Sequence, residues 1–340
     1  MTRTAGKEGV ILKKINWWKL IFVMMIVILA CFVFRGSFSS ILKELSRTKW
    51  STVLSVCLCA AGYNLTEGVI YTYMAGKYNR RFRLRDGIAC SYYTAFYRTA
   101  TIGSGTTAAS VYYLYKKEIG VSEGLALTTL QYMLQRAAVA LFGGMGFFLC
   151  AAFMNAHFGT YRTAVLAGYA ITVMLCFFLI LLCVSRTFHH FLMKMLRKLD
   201  KKQKYAEKID RLEAQSRTLR EQTKHMLRRP KSLIVILLLE LVKLGMWYVI
   251  PYITIQPKGA DIVETACVTS LVLMLAGVIP ALGGLGTTEG LFILFFSGLT
   301  DSVTAASSML LYRFATYMLP CLAGAVCAII LHRYWSTKGD

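Results

Sequence analysis

The sequence predicts an all-α polytopic membrane protein, with about six full spans and two broken or re-entrant helical hairpins in an inverted repeat. Three observations support this fold class. Hydrophobic residues make up 56% of the 340 residues, more than a soluble domain of this length contains. They form long runs that are separated by basic segments. A five-residue pattern also occurs twice, each time inside a hydrophobic stretch.

The predicted spans follow from length, because a helix needs about 20 mostly apolar residues to cross a bilayer. Six stretches satisfy this condition: 17–34, 51–75, 125–155, 162–185, 232–255 and 303–331. The first follows a basic N-terminus, as the apolar part of a signal peptide does. Its apolar run is too long for an ordinary signal peptide, and no small-x-small cleavage site precedes Arg35. We therefore expect this helix to be retained.

The repeated pattern is GSGTT from Gly103 and GLGTT from Gly284. The copies interrupt two further hydrophobic units, 87–115 and 264–299, and each is followed by a turn and an apolar helix that holds one arginine. Each unit is either two full crossings or one re-entrant hairpin of two half-helices, and both alternatives leave its ends on one side of the membrane. In membrane transporters, broken segments at corresponding positions indicate a substrate site.

The distribution of positive charge predicts the topology. Segment 186–231 has fifteen basic and five acidic residues, so we expect it in the cytoplasm. Counting spans from this loop also places both chain termini in the cytoplasm. We expect a single transmembrane domain over 1–340, with repeat units at about 87–155 and 264–331 that enter from opposite sides. The basic loop 35–50 then falls on the outer side, for which interfacial anchoring is the only explanation that the sequence offers.

Within the basic segment, residues 190–228 predict a long cytoplasmic helix or helical hairpin. Its apolar face has i, i+3, i+4, i+7 spacing and is formed by Leu192, Met195, Leu196 and Leu199. Two interpretations stay open. The helix is a solvated linker on the inner leaflet, or it is a docking site for a partner protein.

The composition and motifs exclude several classes of protein. A net charge of +22 is typical of nucleic-acid binding, but here the charge lies between apolar spans, which favours lipid headgroups and no nucleic acid. The ten cysteines lie mostly in apolar runs without metal or redox spacing, so we expect buried thiols rather than disulfides. The histidines are scattered, and neither a nucleotide loop nor a nucleophile elbow occurs. We expect no catalytic residue, metal or cofactor.

Charged residues inside spans are unfavourable in lipid and are therefore functional candidates. The predicted spans and hydrophobic units hold Glu67, Arg98, Arg136, Glu240, Lys243, Glu289 and Arg313. Glu240 and Lys243 are three residues apart on one helix and are expected to neutralise each other. Glu67 is expected to pair with Arg98 or Arg136, either as a structural ion pair or as part of a substrate site.

The three arginines form the most specific candidate set. Arg98 precedes the first break by five residues, and Arg136 and Arg313 occupy equivalent places in the two repeats. A guanidinium binds phosphate through two parallel hydrogen bonds, and helix N-termini at the breaks add free N–H groups. This combination predicts a site for an anionic headgroup. In the alternative interpretation, the arginines snorkel to an interface or pair with Glu67 and Glu289.

Hydroxyl and glycine residues at the breaks complete the candidate site. Four threonines either donate to a headgroup or cap the second half-helices. They are Thr106, Thr107, Thr287 and Thr288. The residues expected to break the helical backbone are Gly103, Gly105, Pro280, Gly283, Gly284 and Gly286. Glu67 and Glu289 are expected to balance the arginines or to contact a cationic group of the substrate.

The stretch from Ala276 to Gly290, AGVIPALGGLGTTEG, resembles the Pro…Gly-Gly-x-Gly-x-x-Glu signature of the lysylphosphatidylglycerol synthase transmembrane-region family. Members are flippase-like membrane domains that occur in the bacterial multiple peptide resistance factor and as stand-alone proteins. The span layout fits over nearly the whole chain. The upstream half-motif, 98–105 followed by a turn and Ser122, is similar but degenerate, because TIGS at 101–104 replaces the more usual Pro and Gly-Gly.

The resemblance implies translocation of aminoacylated or other phospholipids between the leaflets of the bacterial cell membrane. In bifunctional members, a separate C-terminal cytoplasmic domain transfers lysine from lysyl-tRNA to phosphatidylglycerol. This chain ends at Asp340, a few residues after its last span, so we do not expect it to perform that transfer alone. The expected partners are membrane phospholipids. A soluble aminoacyltransferase, another cytoplasmic protein and a second copy of the chain are further candidates.

Three functions stay open at this point. The first is a lipid flippase, driven by a gradient or acting as a passive scramblase because no ATP-binding motif occurs. The second is the membrane component of an aminoacyl-lipid synthesis system whose catalysis lies in a partner chain. The third is a membrane scaffold that acts through the helix at 190–228.

Overall fold

A computed structural model describes residues 35–199, 230–257, 259–278 and 286–337, and the regular elements in these ranges are helical. The α-helices are α1 (Arg35–Arg47), α2 (Trp50–Ala75), α3 (Leu84–Ala100), α4 (Thr106–Lys116), α5 (Val121–Leu149), α6 (Ala151–Phe158), α7 (Arg162–Val184), α8 (Arg186–Leu199), α9 (Pro230–Tyr248), α10 (Ile250–Ile255), α11 (Ile262–Val278), α12 (Thr287–Phe296), α13 (Ser302–Arg313) and α14 (Leu319–Thr337). A 3₁₀ turn joins α6 to α7, and a π-helical segment, Phe314–Met318, joins α13 to α14. The predicted all-α class is confirmed.

Five helical stretches in the described part are long and apolar enough to cross a membrane. They are Trp50–Ala75, Val121–Leu149, Ala151–Phe178, Lys231–Ile255 and Ser302–Ser336. Each corresponds to a predicted span, although the chain turns from α5 into α6 at Cys150, inside the predicted span 125–155. The predicted first span, 17–34, lies outside the described residues.

The first broken unit is a hairpin of two unequal helices. Helix α3 has 17 residues and α4 has 11, which correspond to lengths of about 25 Å and about 16 Å. The hydrocarbon core is about 30 Å thick, so α4 is too short to cross it. Lys117 Nζ lies 2.7 Å from Asp86 Oδ1 and ties the end of α4 to the start of α3. Of the two predicted alternatives, these lengths favour a re-entrant hairpin over two full crossings.

The second broken unit has nearly the same helix lengths. Helix α11 has 17 residues, α12 has 10, and the two pack against each other. The break between them, 279–285, lies outside the described residues. The side from which each hairpin enters the membrane stays a prediction.

The two units exchange packing partners. Helix α3 of the first unit packs on α14, which follows the second unit, and α11 of the second unit packs on α5, which follows the first. Small residues allow the closest approaches, because a Cβ at Gly324 would lie 2.2 Å from the backbone oxygen of Tyr92. Helix α9 belongs to neither unit and contacts α2, α5 and α11.

The basic loop 35–50 contains the amphipathic helix α1. This helix packs against α13 and buries Ile41, while Lys43 and Arg47 are exposed. An amphipathic helix of this kind lies in a membrane interface with its charges among the headgroups. The interfacial position of α1 therefore explains why the loop 35–50 is basic although the topology prediction places it on the outer side.

The long amphipathic helix predicted at 190–228 is described only in part. Helix α8 covers its beginning and ends at Leu199, and residues 200–229 lie outside the described part. Eight cysteines have described side chains, and none of these eight forms a disulfide. Two of them meet where α5 and α11 pack, with 3.1 Å between the Sγ atoms of Cys150 and Cys267.

Candidate functional site

A cluster of charged and amide side chains is buried where α2, α5 and α9 meet. The side chain of Lys243 on α9 is completely buried, contacts the carboxylate of Glu67 on α2, and lies 2.5 Å from Oε2 of Glu240. Gln131 of α5 donates a hydrogen bond from Nε2 to Glu67 Oε1 at 2.6 Å. Lys243 does contact Glu240, as predicted, but it also contacts Glu67. Two carboxylates therefore share one ammonium.

The prediction that Glu67 pairs with Arg98 or Arg136 is wrong. Lys243 and Gln131 occupy its two carboxylate oxygens instead. The reason is geometric, because α9 places its lysine directly against α2, whereas the guanidinium of Arg98 on α3 lies over the Trp247 ring.

A pair of stacked aromatic rings lies beside this cluster. Tyr63 of α2 and Trp247 of α9 stack with their ring centroids 3.7 Å apart and their planes at 8°. The Lys243 ammonium lies 5.4 Å from the Tyr63 ring centroid, and the Arg98 guanidinium lies 5.6 Å from that of Trp247. Aromatic faces attract cations through the ring quadrupole, so the stack contacts two cations, the buried Lys243 and the partly buried Arg98.

Arg98 differs from the other intramembrane cations in its partners. It lies near the end of α3 and is partly buried. The ion pairs found within the described ranges do not include it. Its guanidinium lies over the Trp247 ring, is hydrogen-bonded to the side chain of Tyr63, and interacts electrostatically with Tyr317 and Glu67.

Arg313 is held by an acid at the second break. Its side chain is 5% exposed, and its Nη2 lies 2.5 Å from Glu289 Oε1. The other oxygen of Glu289 accepts a hydrogen bond of 2.6 Å from the backbone N–H of Gly286, at the start of α12. Tyr317, in the π-helical segment that follows Arg313, has its ring centroid 4.5 Å from the guanidinium. The predicted alternative in which Arg313 pairs with Glu289 is therefore what the structure shows.

Arg136 contacts a different part of the second unit. Its Nε donates to the hydroxyl of Tyr132 at 3.0 Å, and its Nη1 lies 3.0 Å from where a Cβ on Gly277 would be. Gly277 is the second-last residue of α11, so Arg136 lies beside the helix that leads into the break at 279–285. It is the sixteenth residue of α5, whereas Arg313 is the twelfth of α13. The two arginines thus differ in both partners and helix position.

The second glycine of each GxGTT pattern is the N-cap of a short helix. Gly105 precedes α4 and Gly286 precedes α12, and the threonines that follow are the first helical residues. The suggestion that threonines cap these helices is thus wrong, because the caps are glycines. Gly286 has φ +84°, a conformation that disfavours any residue with a Cβ.

The first break is closed by local hydrogen bonds. The N–H of Gly103 (φ +90°) donates to the carbonyl of Arg98 at 2.7 Å, and the hydroxyl of Thr106 donates to the carbonyl of Gly103 at 3.0 Å. Thr107 is exposed, and Thr288 at the second break is buried. Pro280, Gly283 and Gly284 lie outside the described residues. A substrate-binding role of the threonines stays a prediction.

Several residues of the site were missed in the sequence. Gln131, Tyr63, Trp247 and Tyr317 were not identified, although a signal existed for two of them. Tyr63 is four residues before Glu67, and Trp247 is four residues after Lys243, which places each on the same helix face as the charge. The described residues contain no cluster of three or more histidine, cysteine or acidic side chains that could hold a metal ion.

Comparison with known proteins gives one result at the level of the family. Residues 16–324 match the family model described as the lysylphosphatidylglycerol synthase TM region. The match covers both broken units and the spans between them. No curated protein matches the sequence closely enough to count as a relative. Because the family match extends over most of the chain, the protein belongs to the lysylphosphatidylglycerol synthase transmembrane-region family.

Proposed function

We propose that this protein moves phospholipids between the leaflets of a bacterial cytoplasmic membrane, with both chain termini in the cytoplasm. The proposed substrates are anionic or aminoacylated phospholipids such as lysylphosphatidylglycerol. The observation that carries the proposal is the position of Arg98, a partly buried cation five residues before a break in the membrane-embedded backbone. The Trp247 ring lies against the face of the Arg98 guanidinium. A phosphate would bind the N–H edge of the same group through parallel hydrogen bonds.

The ion pair at the second break supplies a complementary part of the proposed site. Arg313 and Glu289 bring one positive and one negative charge to the N-terminus of α12. A lysyl-ester headgroup carries both a phosphate and amines. Such a headgroup offers a partner to each member of the pair, with the phosphate toward Arg313 and the amine toward Glu289.

A groove on the outside of the first hairpin is suited to an acyl chain. It measures about 570 Å³ and runs between α4 and α5, with Ser104 and Thr107 at the break and mainly apolar side chains elsewhere, among them Val111, Tyr115 and Leu125. In the proposed mechanism, the chains remain in this apolar groove and in the bilayer while the headgroup crosses beside the breaks.

A second candidate function follows from the family description. As a synthase transmembrane region, the chain would serve an aminoacyl-lipid synthesis system whose catalysis resides in a partner protein. It would then present phosphatidylglycerol to a soluble aminoacyltransferase.

The test is leaflet-to-leaflet movement of fluorescent phosphatidylglycerol and lysylphosphatidylglycerol in reconstituted liposomes. Wild type is compared with Arg98→Gln, Arg136→Ala and Arg313→Ala, and with Arg162→Ala, an exposed arginine at the start of α7, as the matched control. We expect movement above that of empty liposomes in wild type and in the control, and a loss of at least about tenfold in Arg98→Gln, the effect of losing about 1.4 kcal/mol.

Two results would contradict the proposal. The first is a folded wild-type protein that moves neither lipid, which would favour the synthesis-partner or scaffold function. The second is an unchanged rate in all three arginine variants, which would place the lipid path elsewhere.

A further inference from the structure

We infer that Glu67, Lys243 and Glu240 form a proton-binding site, and that a proton bound there and an anion bound at Arg98 favour each other. The coupling to lipid rests on the proposed function, whereas the proton site itself does not. It would supply the driving ion for lipid movement in a chain without an ATP-binding motif.

The charge balance of the cluster is the first argument. Two carboxylates contact one ammonium, so the fully ionised cluster has one excess negative charge. Lys243 and Glu240 are completely buried, and Glu67 is 16% exposed. A buried excess charge is strongly unfavourable, and in proteins it is commonly relieved by binding a proton.

The hydrogen bonds assign the proton to Glu240. Glu67 accepts a hydrogen bond from Gln131 on one carboxylate oxygen and contacts Lys243 through the other, so both of its oxygens have a partner. Neither carboxyl oxygen of Glu240 accepts a hydrogen bond of normal geometry within the described part of the chain, although Lys243 lies 2.5 Å away. The less stabilised carboxylate is the one that takes the proton.

The surroundings of the cluster contain few other charges. Helices α2, α3 and α9 contribute neutral titratable groups that interact electrostatically with it, namely Tyr63, Tyr71, Cys90 and Tyr248. Helix α3 contributes the cation Arg98, and α5 contributes Gln131 and, through Tyr248, Arg136. The titratable residues of α11 are Glu264 and Cys267, near its start, where they interact with each other. Besides Lys243, Arg98 is thus a cation that interacts electrostatically with the cluster, through Glu67.

The aromatic stack connects this cluster to the proposed headgroup site. Lys243 lies against Tyr63, Tyr63 stacks on Trp247, and Arg98 lies against Trp247. When a phosphate binds Arg98, it cancels the positive charge that offsets the cluster. The excess negative charge then attracts a proton more strongly, and by linkage a bound proton raises the affinity of Arg98 for the phosphate. A phosphodiester and one proton together carry no net charge, which lowers the barrier to crossing the membrane.

The proton site is tested by infrared difference spectroscopy of the protein in lipid, recorded between acidic and alkaline pH. A protonated carboxylic acid has a C=O stretch that its carboxylate lacks. Exposed carboxyls are ionised above about pH 6, so a C=O band that persists there comes from a buried acid. We expect this persistent band in wild type and in Glu118→Gln, an exposed control, and its loss in Glu240→Gln. A persistent band that is unchanged in Glu240→Gln, or that is absent from wild type, overturns the proton site. Because the wild-type titration is itself a test, a variant that fails to fold does not prevent a decision.

The coupling is tested separately by lipid movement in liposomes with an imposed pH gradient. We expect a gradient to accelerate phosphatidylglycerol movement several-fold in wild type and in Glu118→Gln, and to have no effect in Glu240→Gln. An equal acceleration in Glu240→Gln, or none in wild type, overturns the coupling. If wild type moves no lipid at all, the proposed function fails together with the coupling, and the infrared result alone decides the proton site.

Discussion

Lys243 contacts Glu67 across a sequence separation of 176 residues, with its own side chain completely buried. The contact joins α9, which lies outside both broken units, to α2 in the first part of the chain. It makes α9 a structural part of the site, because the same helix carries Glu240 and Trp247. The polar interior is therefore organised around a helix that the repeat pattern does not include.

Replacing this lysine should strongly destabilise the protein. In Lys243→Met, the carboxylates of Glu67 and Glu240 lose their shared counter-charge, and breaking a buried ion pair in this way costs about 3–5 kcal/mol. Thermal unfolding in detergent should show a clear decrease in Tm. Adding Glu67→Gln and Glu240→Gln should recover most of the loss, because no buried charge is then left. If Lys243→Met alone were as stable as wild type, this result would contradict the described ion pairs.

The stacked tryptophan should affect headgroup binding through Arg98. Trp247→Leu removes the ring under the guanidinium, an interaction worth about 1 kcal/mol, so phosphatidylglycerol affinity should fall about fivefold. The matched control is Trp335→Leu, which removes a tryptophan that contacts Tyr93, Tyr112 and Tyr113 at another place. Lipid binding by the purified variants is the measurement. Equal losses in both variants would mean that packing, and not Arg98, is responsible.

The glycine that begins α12 should not tolerate a side chain. Gly286→Ala places a Cβ on a residue with φ +84°, at a cost of about 1–3 kcal/mol. It also shifts the backbone N–H that donates a hydrogen bond to the Glu289 carboxylate. We expect a lower Tm and slower lipid movement. Gly290→Ala is the matched control, because a Cβ there meets open space within the same helix. An equally mild effect at both positions would argue against this backbone conformation.

Oxidation should link α5 to α11. The Sγ atoms of Cys150 and Cys267 are 3.1 Å apart, and a disulfide needs a separation of about 2.05 Å. A mild oxidant that reaches the membrane interior should therefore join them within one chain, which mass spectrometry of peptides detects. Cys176 should stay a thiol under the same conditions. Failure to form this bond, while other cysteines react, would contradict the packing of α5 on α11.

Acid should weaken the closure of the first hairpin. Burial raises the pKa of Asp86, but hydrogen bonds from Lys117 and the Arg83 N–H, with the Lys117 charge, lower it overall below its ordinary value of 3.8. A carboxyl with a lowered pKa stabilises the fold above its unfolded pKa, and this contribution is lost as the pH falls through the folded pKa.

The measurement is the Tm of wild type and of Asp86→Asn at several pH values between about pH 3 and about pH 7, a range that includes the titration of aspartate. Asp86→Asn should be less stable than wild type at neutral pH, and the difference should shrink below about pH 4. The exposed control Glu118→Gln should follow wild type throughout. A constant difference at every pH would show that the Asp86 charge is not the cause.

Much of the fold could be predicted from local patterns. Five of the predicted spans have counterparts among the helices, because the length of an apolar run sets whether a helix can cross a bilayer. The breaks at Gly103 and Gly286 were visible because glycine is the residue that accepts their backbone angles. The family signature around the second break is likewise a local feature, and the family match confirms it.

The sequence by itself thus determined the fold class, five of the spans, the breaks and the set of charges that the membrane interior must accommodate. Only the tertiary structure decided which charges meet, and it assigned Glu67 to Lys243, Arg313 to Glu289 and Arg98 to an aromatic stack. The physical reason is that ion pairs and ring stacks form between facing sides of different helices. Which sides face each other depends on how all the helices pack, and no local pattern of residues contains that information.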